Sequence, residues 1–104
     1  QGDLLRAAAV YKKVATLRRD AHALLRAANL LLRANQQLDE AARLARGACQ
    51  ELPTAVEARV ILGQIYEKND MLVEAVAAFE EAMELSPGDP AVRVHVERVR
   101  SHLG

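Results

Sequence analysis

Residues 56–89 read VEARVILGQIYEKNDMLVEAVAAFEEAMELSPGD, and this stretch decides the fold. Apolar residues recur in it at helical spacing on both sides of Asn69-Asp70, and Pro87 stands just past the second pattern, so the stretch reads as a helical hairpin. Subtracting 34 from Asn69, Leu72, Glu74, Ala75, Ala82 and Pro87 lands on Asn35, Leu38, Glu40, Ala41, Ala48 and Pro53. A further step of 34 from Leu38 and Ala41 lands on Leu4 and Ala7, and from Phe79 through Ala45 on Tyr11. The first helix is therefore the second half of an earlier repeat. A hairpin of this length cannot bury its apolar face alone, so stacked copies must share one core. The expected fold is all-α, an α-α superhelix of about six antiparallel helices forming a single domain over residues 1–104. The helices are expected near 3–18, 21–34, 38–51, 55–68, 72–85 and 90–103.

Composition agrees. The 104 residues suit one domain and are 51% hydrophobic but only 3% aromatic, with 20 Ala and 15 Leu against five Gly and three Pro. That is helix-forming stock, and the scattered aromatics Tyr11, Tyr66 and Phe79 exclude a strand-rich sandwich. Fourteen basic residues balance fourteen acidic ones, which removes the whole-chain argument for nucleic acid or an anionic membrane. The longest uncharged run, Val60 to Tyr66, falls far short of the ~20 residues a spanning helix needs. Arg6, Lys12, Lys13, Arg18 and Arg19 interrupt the start of the chain, so no signal peptide is expected. One cysteine, Cys49, makes neither an internal disulfide nor a zinc site alone, and a reducing cytoplasm is the default setting.

The helix starts carry cap chemistry. Asp20 precedes Ala21, Thr54 with Glu57 reads as a capping box, and Asp89 precedes Pro90 at a first helical position. Ala41 with Ala48, and Ala75 with Ala82, share a helix face at i, i+7, so the paired helix can approach closely; Gly63 on the facing helix serves the same end. Leu62, Ile65, Tyr66, Phe79 and Leu85 are expected to fill the space beside that contact, as Leu25, Leu31, Leu32 and Leu44 do in the preceding copy.

With Leu62-Gly63, Tyr66, Ala75, Phe79, Ala82 and Pro87 in order, residues 56–89 resemble a complete tetratricopeptide repeat (TPR). Arg59 stands where the family usually has an aromatic. Residues 22–55 resemble a more divergent copy that keeps Ala41, Ala48 and Pro53 but has Ala28-Asn29, Leu32 and Ala45 in place of Leu62-Gly63, Tyr66 and Phe79. Residues 3–18 resemble the second helix of a truncated repeat, Gln1-Gly2-Asp3 the turn before it, and 90–103 a terminal capping helix. Gln1-Gly2 also reads as a protease-site scar on a segment excised from a longer protein.

The resemblance covers nearly the whole chain and implies a non-catalytic protein–protein interaction module, an adaptor or scaffold binding a protein or peptide segment on its concave groove. It implies groove positions at Ala23, Arg26, Leu30 and Arg33, at Glu57, Val60, Gln64 and Glu67, and at Val94, Arg98 and Ser101. Three arginines with Leu30, Val60 and Val94 suit a ligand that is partly apolar and partly acidic. The family's clamp for a chaperone's C-terminal carboxylate is not expected. Leu30 and Ile61 replace its asparagines and Ala91 its lysine, so only Arg26 is compatible.

No constellation points to catalysis, a cofactor or a metal. Ser86 and Ser101 are the only serines, and no nucleophile elbow or phosphate loop surrounds them. His95 and His102 stand i, i+7, about 10 Å of helical rise, too far apart for one ion. Glu80, Glu81 and Glu84 lack the turn residues of a calcium loop and read as a solvated face. Cys49 reads as a small apolar core residue, while Arg43 and Arg46 within a turn of it leave a lowered thiol pKa open.

The charge is uneven: residues 3–19 sum to +4, 54–89 to −6 and 90–103 to +2. Self-association into a homo-oligomer is the rival function. The first helix lacks its partner and the last its successor, so Leu4, Ala7, Tyr11 and Val14, and at the other end Val92, Val96 and Val99, are expected to leave apolar stripes open. The last-helix stripe, with Leu103, is also expected to pack partly inward. Head-to-tail contact would set basic against basic, which favours a symmetric pairing or the docking of the basic helix on the acidic segment.

Overall fold

Helices form where the apolar period and the punctuation put them: α1 (Gly2–Arg18), α2 (Ala21–Ala34), α3 (Leu38–Glu51), α4 (Val56–Lys68), α5 (Leu72–Leu85) and α6 (Pro90–Leu103). A computed structural model describes residues 2–104, and no strand occurs among them. Gln1 lies outside the described residues. Gly2 and Asp3, expected in the same turn, are already the first residues of α1.

Two of the three expected caps form. Asp20 accepts hydrogen bonds from the backbone N–H of His22 at 3.0 Å and of Ala23 at 3.4 Å, and Asp89 accepts from Ala91 N–H at 2.9 Å with Pro90 opening the helix. The Thr54–Glu57 box does not. The Ala55 N–H donates to Leu52 O at 3.1 Å, and this turn places Ala55 at the cap position, one residue past the threonine oxygen. Between the hairpin helices, Asn35 and Asp70 take left-handed φ values of 54° and 60°. Asn69, the repeat equivalent of Asn35, does not; its amide donates to Asp39 Oδ1 at 2.9 Å and ties the second hairpin's turn to the start of α3.

Each helix packs on the next, and α2 also touches α4. The result is a two-layer solenoid with α2, α4 and α6 inside and α1, α3 and α5 outside. Ala41, Ala48, Ala75 and Ala82 are fully buried at the interfaces, so their lack of bulk sets the helix spacing. Leu25, Leu31, Leu32, Leu44, Leu62, Ile65, Tyr66 and Phe79 fill the core as expected, whereas Leu85 is 37% exposed at the end of α5.

Phe79 of α5 is fully buried and lies against both α4 and α6. A Cβ built on Gly63 of α4 would lie 2.6–2.8 Å from its ring carbons, so only glycine leaves room for the ring. On another side the His95 imidazole of α6 stacks at 4.8 Å between centroids with 6° between planes.

The ends meet expectation only in part. Val92, Val96 and Val99 are buried because that face of α6 turns onto the preceding hairpin; Leu103, 47% exposed, does not follow them inward. On α1, Leu4, Ala7, Tyr11 and Val14 are half-buried, since that side leans on α2, and the open apolar residues are Val10 and Leu17 at 60% and 73% exposure.

Gly63→Ala is expected to destabilise the fold by about 1–3 kcal/mol of overpacking, outweighing the roughly 1 kcal/mol of helix propensity that alanine gains over glycine. Thermal denaturation followed by circular dichroism checks this. A raised melting temperature would mean that the Phe79 ring can move aside.

Candidate functional site

The inner helices enclose an open groove with two basins that meet at Asn29. The smaller, about 280 Å³, lies between the N-terminal halves of α2 and α4 and is lined by His22, Leu25, Arg26, Asn29, Glu57 and Ile61. The larger is a trough of about 750 Å³ lined by Asn29, Leu32 and Arg33 of α2, Gln64, Glu67 and Lys68 of α4, and Arg98 of α6.

The predicted groove residues divide between these places. Arg26 and Glu57 line the small basin, and Arg33, Gln64, Glu67 and Arg98 line the trough. Leu30 and Val60 are half-buried against the core, Ala23 is buried, and Val94 stands 57% exposed outside both basins. The Ser101 hydroxyl donates to Arg98 O at 2.7 Å. The apolar lining comes instead from Leu25, Leu32 and Ile61. Among the polar lining, sequence reasoning missed His22, Asn29 and Lys68. Each stands one residue from a predicted position, a rotation of about 100° that the repeat register alone does not resolve.

The charged groups of the groove are unequal. Arg98 donates through Nε and Nη2 to both carboxylate oxygens of Glu67, at 2.9 and 2.7 Å. Its Nη2 also lies 2.8 Å from His95 Nδ1. A guanidinium only donates, so Nδ1 is the acceptor and the imidazole is neutral with its proton on Nε2. The Arg98 hydrogen bond holds the Glu67 carboxyl below the usual carboxylate range. Burial, reinforced by the Arg98 charge, holds the His95 pKa down, against smaller pulls from Glu67 and Asp89. Arg26 lies over the Tyr11 ring, 5.8 Å from its centroid, in a cation–π contact with α1.

On the outer side, Lys12 of α1 meets Glu40 of α3 at 2.6 Å and Arg43 meets it at 2.8 Å, and hydrogen bonds from Arg43 first and then Lys12 lower the Glu40 pKa to about 2. Cys49 lies in a furrow between α3 and α5. Burial pushes its thiol up, with Arg59 pulling back, so the lowered pKa left open by the sequence does not arise. Arg59, in the family's aromatic position, reaches Glu81 at 3.5 Å, and Arg46 donates to the Tyr66 hydroxyl at 2.9 Å. Glu80 pairs with Arg100, so the acidic face of α5 is only partly solvated. Among the described residues, no group of three or more His, Cys, Asp or Glu is placed to hold a metal ion.

A family model for the tetratricopeptide repeat matches residues 32–93. The chain belongs to that family. Among solved structures it is similar to the MamA RS-1 ArsTM double mutant, with a TM-score of 0.88 at 25% identity over 97% of this chain and 57% of that one. A second MamA structure, 41-end from Desulfovibrio magneticus RS-1, gives 0.87 at 25% identity over the same shares, 97% and 57%. The Arabidopsis OM64 TPR domain gives 0.85 at 22% identity over 97% of this chain and 84% of that one, a likeness of fold alone. The chain spans 57% of the length of the two MamA structures. A comparison with curated proteins finds no match. As a TPR solenoid the chain carries a protein-interaction fold.

The His95 geometry sets a pH dependence. Its folded pKa lies below the ordinary value of 6.5, so the unfolded chain takes up the proton first, and stability complete above that pH is lost as pH falls through it. The melting temperature is expected to fall between pH 7 and pH 5, and His95→Phe, which keeps a ring on Phe79, is expected to flatten that part of the profile. An equally steep fall in the variant would remove His95 from the account.

Proposed function

We propose that the chain binds an extended peptide or protein segment along the groove of α2, α4 and α6, as a non-catalytic adaptor or scaffold. The supporting observation is a continuous trough lined by all three inner helices, in which Arg33 and Lys68 stand without an ion-pair partner among the described residues. Arg26, Arg33 and Gln64 contact the ligand in this reading, Leu30 and Val60 back the groove from the core side, and Val94 stands outside both basins, open to a longer ligand. Glu67 and Arg98 form a paired divide on the trough wall. A cytoplasmic setting fits the single cysteine. Neither nucleic acid nor membrane enters this reading: the net charge is zero, and no helix among the described residues is long and apolar enough to cross a membrane.

Peptides selected on the chain from a random display library should shift backbone amide NMR signals on the concave side of α2, α4 and α6. Shifts gathered on the outer faces of α1, α3 and α5 would overturn the groove reading.

Self-association is a second reading, favoured by one observation: Val10 and Leu17, the most exposed large apolar residues of α1, stand i, i+7 on one stripe. Light scattering across a hundredfold dilution is expected to separate the two. A constant 11.4 kDa argues against a homo-oligomer, and a dimer that survives dilution makes the chain its own first partner.

A further inference from the structure

The groove reading does not say which side chains the trough selects, but its charges do. Glu67 and Arg98 are committed to each other through a two-pronged contact, and Arg98 is further engaged by His95. Neither offers a free charge to a ligand. Arg33 and Lys68 line the same trough from α2 and α4, and neither has an ion-pair or hydrogen-bond partner among the described residues. The trough therefore carries two uncompensated positive charges, with the Asn29 and Gln64 amides also lining it. The small basin differs, since Glu57 lines it with Arg26 and Arg26 is already placed over Tyr11.

We propose, on the basis of the groove reading, that the trough selects an acidic peptide segment whose carboxylate side chains sit on Arg33 and Lys68. Glu67 withholds Arg98 from that ligand. It is an internal carboxylate occupying the fork that a ligand's carboxylate would otherwise take, so it limits affinity as well as bracing α4 against α6. A basic segment would face Arg33 and Lys68 unpaired, which excludes it by repulsion.

The test uses fluorescein-labelled hexaglutamate and hexalysine, titrated by fluorescence polarisation against the chain and its variants, with the melting temperature of each variant recorded. Hexaglutamate should bind, more weakly as salt rises, and hexalysine should not. Arg33→Glu and Lys68→Glu should each weaken binding about fivefold or more at an unchanged melting temperature. Glu67→Gln should strengthen binding about two- to fivefold as Arg98 is released, even if it lowers the melting temperature.

The proposal is overturned if hexaglutamate fails to bind, if Glu67→Gln weakens binding, or if the loss follows Arg6→Glu and Lys13→Glu instead, which would place the acid on α1. Hexaglutamate that dissolves a dimer seen by light scattering would show that the acidic occupant is a second copy, and would overturn the peptide assignment. The groove reading fails separately. Library peptides that map to the groove without enrichment in Asp or Glu would sink only the acidic selection, whereas peptides that map elsewhere would sink both.

Discussion

The Phe79 ring is the contact on which the second half of the molecule depends. It projects from α5 into space left by the missing side chain of Gly63 on α4, and the imidazole of His95 on α6 stacks on it. One buried ring thus sets the separation of three helices. With α6 held by that stack and by its buried valine face, Arg98 on the next turn lies within reach of Glu67 and forms the far wall of the trough. The apolar contact positions the polar one, consistent with the general weakness of an ion pair that has no packing behind it.

The preceding copy solves the same problem without a large ring. Ala45 stands at the place of Phe79 and Asn29 at the place of Gly63, so bulk lost on the outer helix is matched by bulk gained on the inner one, and Ala45 is fully buried. With no ring to accommodate, the Asn29 position is free to carry a polar side chain, and it lies where the two basins meet. Divergence from the repeat pattern is therefore where a groove feature arises. The charged residues follow a similar division: on the outer side Lys12, Glu40 and Arg43 tie α1 to α3, while in the trough Arg33 and Lys68 are left without partners.

The helices were legible from residue pattern to within one residue at each end, because proline, cap aspartates and a period near 3.6 are local signals read without knowing the fold. Thr54 and Glu57 have the spacing of a capping box, yet the turn after Pro53 uses one more residue than that motif assumes. At the ends, a missing neighbour leaves one side of a helix open, not both. Val92, Val96 and Val99 are buried because each helix of a stacked solenoid has two sides, and the valine side of α6 faces back onto α5.

For the site, family position located Arg26, Arg33, Gln64, Glu67 and Arg98 on the groove but not their states of pairing. Architecture, repeat register and the small-residue contacts followed from sequence, since each rests on spacing along one helix or on identity at a fixed interval. Which arginines are free did not. Arg98 and Glu67 are 31 residues apart, and His95 meets Phe79 across two helices, so their partners exist only after the hairpins stack. Pairing of charges over such separations is a property of tertiary geometry, and here that geometry makes Arg33 and Lys68 the available cations while leaving Arg98 neutralised.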